Sequence, residues 1–328
     1  MYEKKIAVAP MMDWTDRHCR FFHRQLTSRA VLYTEMVVAD AVIHGDRERL
    51  LGFSEAEQPV ALQLGGSDPA KLAEAARVGA EFGYMEINLN VGCPSDRVQS
   101  GTFGACLMRT PELVGACVKG MKAAISIPVT VKCRLGVDDQ DPEAALDELA
   151  DAVFAAGADS LWVHARKAWL EGLSPKENRE IPPLDHGRVY RLKERCPGRF
   201  IGINGGIRTV AEVAEHLRHV DGVMFGRAAY HEPGMLAGVD EILWQRPTEP
   251  VDFASVVATM ADYAARHIGR GGRLSHVTRH MTGLFHGLPG ARRYRQILST
   301  DATRPGAGPE VLVAAFETVE LSPAEEAA

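Results

Sequence analysis

The sequence of 328 residues lacks several features that mark specialised classes of protein. No apolar run approaches the roughly 20 residues that a membrane-spanning helix needs. The first residues lack the apolar stretch of a secretion signal. The six cysteines form neither a CxxC pair nor a zinc-ligand spacing. We therefore expect a cytoplasmic protein with reduced thiols, no membrane association and no metal site.

Acidic residues are absent from one long stretch, although the net charge of the chain is -6. That net charge by itself argues against a nucleic-acid partner. Positions 263–300, however, contain no Asp or Glu and carry Arg266, Arg270, Arg273, Arg279, Arg292, Arg293, Arg295, His267, His276, His280 and His286. A charged stretch is usually a solvated face, but one without acids beside a catalytic domain indicates contacts with a phosphate backbone.

Eight short apolar segments alternate with helix-like segments over about 230 residues. The predicted strands are Ile6–Pro10, Val31–Glu35, Val60–Leu64, Tyr84–Asn90, Val129–Arg134, Ser160–His164, Phe200–Asn204 and Gly222–Gly226. The predicted helices between them are Thr15–Leu26, Asp68–Phe82, Pro111–Ala124, Pro142–Ala155 and Thr209–Leu217. Short apolar strands separated by helices predict a parallel sheet that is covered on both faces.

A closed barrel and a doubly wound open sheet both fit this alternation. Nearly every predicted strand ends in polar or charged residues, for example Glu35, Gln63, Asn90 and His164. In a closed barrel these strand ends converge on one mouth, where barrel enzymes place their chemistry. We therefore predict a (β/α)8 TIM barrel over residues 1–240. From about Val251 the pattern changes to helical segments, which predicts a C-terminal all-helical domain over residues 250–328.

Glycine-rich turns follow the seventh and eighth strands, at Gly205-Gly206 and at Gly226-Arg227. Barrels commonly bind phosphate with these two loops, because glycine lets backbone N–H groups approach an anion. No GxGxxG follows a strand, so a mononucleotide or a phosphorylated substrate is favoured over a Rossmann dinucleotide. Lys132 on the fifth strand could form a Schiff base or supply a fixed positive charge. His164 could be a core histidine or a group at the mouth.

Cys93 lies just after the fourth predicted strand, in a loop punctuated by glycine and proline. Free cysteine is usually a small buried hydrophobe. A cysteine in a loop beyond a strand end is placed for chemistry more than for packing. The residues around it therefore decide between the two interpretations.

Seven ordered segments of the chain resemble the tRNA-dihydrouridine synthases. They are Ala9–Asp16, Gln63–Ser67, Asn88–Pro94, Lys132–Gly136, His164–Trp169, Asn204–Ile207 and Gly283–Arg293, the last resembling the A-type subgroup in particular. The resemblance runs in order from Ala9 to about Ser299. It implies an FMN-dependent barrel that reduces the C5–C6 double bond of D-loop uridines in tRNA, with positions 20 and 20a expected for this subgroup. It also implies NADPH as the reductant.

The resemblance assigns cofactor roles to individual residues. Pro10, Met11 and Met12 would line the flavin ring, Gln63 would bond its edge, and Lys132 would lie near its pyrimidine side. The ribityl phosphate would be held by His164, Asn204, Gly205, Gly206, Gly226 and Arg227. An ordinary thiol is mostly protonated at neutral pH, so Cys93 would donate the proton to C5 after hydride reaches C6.

The tRNA contacts are expected at both the mouth and the helical domain. Asn90, Arg134 and Arg166 are candidates for gripping the target base and its adjoining phosphate, with hydrogen bonding within the barrel mouth as the alternative. The further candidates are Arg97, Glu177, Glu180, Arg292, Arg293 and Gln296. The target uridine must leave its stack to reach a site inside a barrel. We expect the protein to act as a monomer.

Three other functions remain open from the residues. A flavin reductase acting on a free pyrimidine would need no basic helical domain. A non-catalytic tRNA-binding protein would need no Lys132, His164 and Cys93 at a barrel mouth. A Schiff-base aldolase built on Lys132 would leave Cys93 and the basic stretch unexplained.

Overall fold

The computed structural model describes residues 6–95, 103–244 and 249–321, and for 243 and 244 the backbone alone. The predicted tRNA contact Arg97 and the last seven residues of the predicted helical domain, 322–328, lie outside these described residues.

Eight parallel strands follow one another around a closed barrel, and the first pairs with the last through Ile6 and Val223. The strands are β1 (Ile6–Val8), β2 (Val31–Val38), β3 (Val60–Gly65), β4 (Glu86–Val91), β5 (Val129–Cys133), β6 (Ser160–His164), β7 (Phe200–Asn204) and β8 (Gly222–Phe225). The predicted TIM barrel is confirmed, and the open sheet is excluded because β1 and β8 are hydrogen-bonded.

The helices of the barrel lie between the strands and after β8. They are α1 (Arg17–Leu26), α2 (Ala39–His44), α3 (Arg47–Leu51), α4 (Pro69–Glu81), α5 (Pro111–Ala124), α6 (Pro142–Ala155), α7 (His186–Arg195), α8 (Val210–His216), α9 (Arg227–His231) and α10 (Val239–Trp244). Short 3-10 turns lie at Glu55–Glu57, Gly104–Arg109, Glu177–Arg179 and Pro233–Gly238. The predicted helix starts are confirmed where a polar side chain caps the first turn. The Asp68 carboxylate accepts from the N–H groups of Ala70 and Lys71 at the start of α4.

Five helices of the barrel, α2, α3, α7, α9 and α10, were not predicted from the sequence. The helix α7 has a physical reason for escaping notice, because its sequence is rich in Arg and Lys. Its buried face includes Arg188, whose guanidinium donates to the Asp147 carboxylate at 2.5 Å. A helix that buries a paired charge carries little of the apolar periodicity that sequence analysis depends on.

The barrel interior divides into an apolar part and a polar part. Ala7, Val31, Tyr33, Ala61, Trp162 and Met224 form a buried cluster nearer the amino ends of the strands. Gly202 is required here, because a Cβ at this position would lie 2.1 Å from the Trp162 ring. Polar side chains occupy the carboxyl ends, where Asn90 of β4 pairs in register with Lys132 of β5. The chemistry-bearing residues therefore face the mouth.

A helical region follows the barrel, as predicted. It comprises α11 (Phe253–Gly269), α12 (Leu274–Thr278), α13 (Ala291–Thr300), a 3-10 turn at Asp301–Thr303 and α14 (Glu310–Phe316). It contacts the barrel beside α1, where the Arg279 guanidinium donates to the Asp16 carboxylate at 2.5 Å. The division into separate domains at 240 and 250 stays a prediction. Within the ranges given above, no helix combines the length and apolar character required to cross a bilayer.

Candidate active site

The cysteine loop is held in place by Asn90, at the end of β4. The Asn90 side-chain oxygen accepts from the backbone N–H groups of Gly92 (3.1 Å) and Cys93 (2.9 Å). Its amide nitrogen donates to the Gln63 side chain at 2.7 Å. The half-buried Cys93 thiol lies 3.5 Å from the Ser95 hydroxyl. Asn90 therefore fixes the start of the loop that carries the candidate catalytic thiol.

A buried polar network fixes the Gln63 amide. Gln63 donates to Asn88 at 2.8 Å, and Asn88 donates to the Thr130 hydroxyl at 2.8 Å. Thr130 and Tyr33 both donate to the Glu86 carboxylate. Each side chain of this network has a hydrogen-bond partner, so the network fixes the orientation of the Gln63 amide. Sequence analysis did not single out Asn88. Its spacing of two residues from Asn90, which puts both on one face of β4, was the available signal.

Lys132 and His164 form the electropositive centre of the mouth. The Lys132 ammonium donates to the Asn204 side chain at 3.2 Å, and Asn204 donates to the Met224 carbonyl at 2.7 Å. Burial, and then the nearby Arg134 guanidinium, lower the pKa of Lys132 to about 8. Burial and the charges of Arg134 and Lys132 hold the pKa of His164 well below its ordinary value. The imidazole is therefore neutral among cations at neutral pH.

Two glycines after β7 shape a cradle beside His164. Gly205 and Gly206 have positive φ angles of 111° and 79°, which side chains rarely adopt. A Cβ on Gly205 would lie 2.6 Å from the His164 ring, and one on Gly206 would lie 2.5 Å from Leu184. Glycine is therefore required at both positions. A glycine backbone lets its N–H groups approach a phosphate closely.

The loop from β6 to α7, residues 165–185, covers one side of the mouth. Its centre is the fully buried Asn178, whose side chain accepts from the Trp169 N–H and donates to the Trp169 and Leu173 carbonyls. Nothing in the local sequence, which is mostly charged, distinguishes Asn178 from an exposed loop residue. From the sequence, Asn178 was expected only as part of a loop that extends the RNA contacts, and its buried structural role was not predicted.

Arg134 connects this loop to the cysteine loop. Its guanidinium donates to the carbonyls of Gly92 (3.0 Å), Lys167 (3.1 Å) and Asn178 (2.8 Å), and the residue is only 3% exposed. From the sequence, Arg134 was a candidate for gripping the substrate, with hydrogen bonding within the barrel mouth as the alternative. In the structure its donors are directed at the backbone of two loops, so its visible role is to hold those loops together.

The other predicted residues of this loop also make contacts within the protein. Arg166 donates to the Glu180 and Pro182 carbonyls. The Glu180 carboxylate pairs with Arg227 at 2.7 Å, and the Glu177 carboxylate accepts from the Ser174 N–H at 2.8 Å. Arg227, predicted to bind phosphate, is therefore directed toward the β6–α7 loop.

Arg179 is an exposed residue of the same loop whose guanidinium is partly enclosed near Cys93. Burial, and then the charge of Arg227, lower the pKa of Arg179. Cys93 also lies close to Lys132 and Arg134, and the Arg134 guanidinium binds the neighbouring Gly92 carbonyl. The structure therefore brings Cys93, Lys132, Arg134 and Arg179 together, as strand-end convergence predicted for the first three.

The remaining flavin candidates lie on the β1–α1 loop and after β8. Pro10 and Met11 are half-buried, and Met12 is exposed. The Thr15 hydroxyl accepts from the Met11 N–H at 2.9 Å, which fixes the turn. Gly226 precedes α9 directly. Within the part of the chain that the structure describes, no cluster of three or more His, Cys, Asp or Glu side chains has metal-binding geometry.

The basic helical region divides into two kinds of arginine. Arg292, Arg293, Arg295 and Gln296 form the exposed face of α13, while Tyr294 and Leu298 of the same helix are buried. Arg293 donates to the Gln296 side chain at 3.1 Å. Arg279, by contrast, is paired with Asp16 of the barrel. The predicted tRNA contacts Arg292, Arg293 and Gln296 are therefore presented to solvent together on one face of α13.

Comparison with known proteins gives a consistent result. Residues 7–320 match the family model described as dihydrouridine synthase. A tRNA-dihydrouridine(20/20a) synthase of Xanthomonas axonopodis pv. citri is 58% identical over 316 residues, covering 96% of this chain and 94% of that protein. The proteins of the same name from Salmonella typhimurium and Escherichia coli K12 are 55% and 54% identical, over 96% of this chain and 95% and 91% of theirs.

Two solved structures share the barrel at low sequence identity. An old yellow enzyme homologue from Zymomonas mobilis has a TM-score of 0.52 at 13% identity, covering 75% of this chain and 90% of that one. A 2-naphthoyl-CoA reductase complex has a TM-score of 0.54 at 11% identity, covering 75% of this chain and 51% of that one. At these identities the likeness supports the fold alone.

Proposed function

The chain belongs to the dihydrouridine synthase family, and on that basis we propose that it reduces uridines 20 and 20a of the tRNA D-loop with FMN and NADPH. The family match confirms the resemblance seen in the sequence, and with it the prediction of an enzyme. The substrate positions follow the printed names of relatives that are more than 50% identical over nearly the whole chain. The observation that carries the proposal is the convergence of Cys93, Lys132 and His164 at one barrel mouth.

The residues at the mouth fit an FMN molecule. The cradle at Gly205 and Gly206, where any Cβ would clash, would receive the phosphate. The neutral His164 imidazole can donate one hydrogen bond there, and Gly226 lies at the neighbouring loop. FMN reduced by NADPH would supply the hydride for C6 of the uracil. Pro10, Met11 and Met12 would line its ring, and the Lys132 ammonium would supply a fixed positive charge.

Cys93 has the position of a general acid. Asn90 holds its backbone N–H, and Arg134 holds the Gly92 carbonyl beside it, so the thiol is presented from a fixed loop. Delivery of hydride to C6 leaves an electron pair at C5, and the Cys93 S–H donates the proton that completes the reduction. Solvent protons then restore the thiol.

The tRNA substrate would be held by cations at two places. Arg179 and Arg166 at the mouth would approach the phosphates beside the target base, and the α13 face would contact the backbone further away. The Glu177 and Glu180 carboxylates would act by shaping the loop, because their contacts are within it. The contacts of Asn90 and Arg134 within the protein support a positioning role for both. All six cysteines are free thiols, which supports the expected location in the cytoplasm.

The test separates the two half-reactions. Purified protein should carry a flavin spectrum, be bleached by NADPH and form dihydrouridine at positions 20 and 20a of unmodified tRNA, as mapped by mass spectrometry. Cys93→Ala should still be bleached by NADPH, but its product formation should fall about 10²–10⁴-fold. Cys196→Ala, a half-buried cysteine at the end of α7, serves as the matched control and should behave as the wild type. A Cys93→Ala protein with normal product formation would remove the thiol from the mechanism.

A further inference from the structure

Large apolar side chains are left exposed mainly at the barrel mouth. Within the described ranges the exposed ones are Met12, Trp169, Ile181, Leu184 and Val313. Four of these five lie on the β1–α1 and β6–α7 loops. Apolar surface gathered beside a site is typical of a surface that binds a ligand. Trp169 is the one aromatic side chain among them, with 42% of its surface exposed.

The exposed Trp169 ring projects from a fixed backbone. The Asn178 side chain accepts from the Trp169 N–H at 2.7 Å and donates to its carbonyl at 2.8 Å. On the next residue, the Leu170 N–H donates to the Asp138 carboxylate at 2.8 Å. On the other side, Ala168 pairs with Val137 in a parallel bridge. These contacts fix the backbone around Trp169, and the fixed backbone keeps the ring at the surface.

The ring lies in an electropositive part of the mouth that is joined to the cysteine loop. Arg134 binds the Gly92 carbonyl and the Lys167 carbonyl with one guanidinium, which couples the position of Trp169 to that of Cys93. The Lys167 ammonium lies 5.8 Å from the centre of the Trp169 ring and donates to the Gln140 carbonyl. Arg166 and Arg179 belong to the same loop. An exposed aromatic face among cations has the chemistry that binds single-stranded nucleic acid.

We propose that Trp169 is a stacking platform for a nucleobase adjacent to the uridine that enters the barrel. The inference rests on the proposed function. Extraction of a uridine from its stack leaves the neighbouring base with an open face, and an indole can cover that face. Stacking tolerates any base, so the platform positions the D-loop without reading its sequence. Trp169 is thus a positioning residue for the substrate.

The test uses full-length tRNA with 2-aminopurine at a nucleotide flanking uridine 20, because stacking quenches the fluorescence of this base. Binding to the flavin-loaded wild type should quench it. Trp169→Phe keeps an aromatic face and should keep the quenching, whereas Trp169→Leu keeps apolar bulk alone and should lose it. Trp169→Leu should also raise the KM for tRNA by about tenfold. Bleaching of the flavin by NADPH in the absence of tRNA should be unchanged in both variants.

Val313→Ala is the matched control, since Val313 is an exposed aliphatic residue of α14, outside the two mouth loops. It should leave both quenching and KM as in the wild type. Absence of quenching in the wild type at both flanking positions would overturn the proposal, as would equal losses for Val313→Ala and Trp169→Leu. The proposed function has a separate test: it is wrong if the wild type itself forms no dihydrouridine, whatever the quenching shows.

Discussion

The barrel mouth and the helical region both gather positive charge, but they place it in different surroundings. At the mouth, Lys132 and Arg134 are largely enclosed, and burial lowers the pKa of each. On α13, Arg292 and Arg293 are exposed. Enclosed charges interact strongly with their neighbours and are poorly screened by salt, whereas exposed charges are screened within about 10 Å at 0.1 M salt. The same residue types therefore serve positioning in one region and backbone attraction in the other.

The largest effect is expected when the buried arginine at the barrel mouth is replaced. Arg134→Ala leaves the carbonyls of Gly92, Lys167 and Asn178 without their donor, and leaving buried acceptors unpaired costs about 1–3 kcal/mol each. We expect a loss of about 3 kcal/mol or more in the free energy of unfolding, measured with urea, and a fall in dihydrouridine formation. Arg109→Ala removes an exposed arginine paired with Asp138 and should cost less than about 1 kcal/mol. Equal losses of unfolding free energy in the two variants would mean that the contribution of an arginine to stability does not depend on its burial.

The second prediction uses the depressed pKa of Lys132, about 8 against an ordinary 10.5. Between these values the unfolded chain holds a proton that the folded chain has released, so the stability of the flavin-free protein should rise with pH. The rise attributable to Lys132 is on the order of 3 kcal/mol. Lys132→Met should abolish it, seen as the difference between the two stability curves from pH 8 to 10.5. Lys122→Met, beside Asp159 at the surface, should keep the wild-type slope.

The smallest effect is expected when the exposed arginines of α13 are replaced. Arg292→Ala with Arg293→Ala should weaken tRNA binding about uniformly across tRNAs and reduce the slope of log K against log salt by about 0.7–0.9 per lost phosphate contact. Protein stability should change little, because both side chains are exposed. Arg77→Ala with Arg218→Ala removes the same charge from exposed positions on the barrel, one on α4 and one in the turn after α8, and should leave the slope unchanged. An unchanged slope in the α13 variant would mean that this face is a solvated surface and does not contact tRNA.

The barrel was predictable because its signals are local. Asp68 and Thr209 cap their own helices, and the predicted starts of α4 and α8 follow directly from them. The apolar strands were located to within a few residues for the same reason. Helix α7 was missed because the charge of Arg188 is balanced by Asp147, a residue some 40 positions earlier in the chain. Local pattern carries no information about such a partner.

The sequence by itself determined the family, the order of strands and helices, and the residue types at the strand ends. Only the tertiary structure decided what those residues contact. It turned Asn90 toward the cysteine loop, directed Arg134 at three carbonyls from distant segments, and buried Asn178 beneath Trp169. It also separated Arg279, paired with Asp16, from the exposed arginines of α13. A polar side chain takes whichever donors and acceptors the folded chain brings within about 3 Å, and that neighbourhood exists only after the barrel has closed.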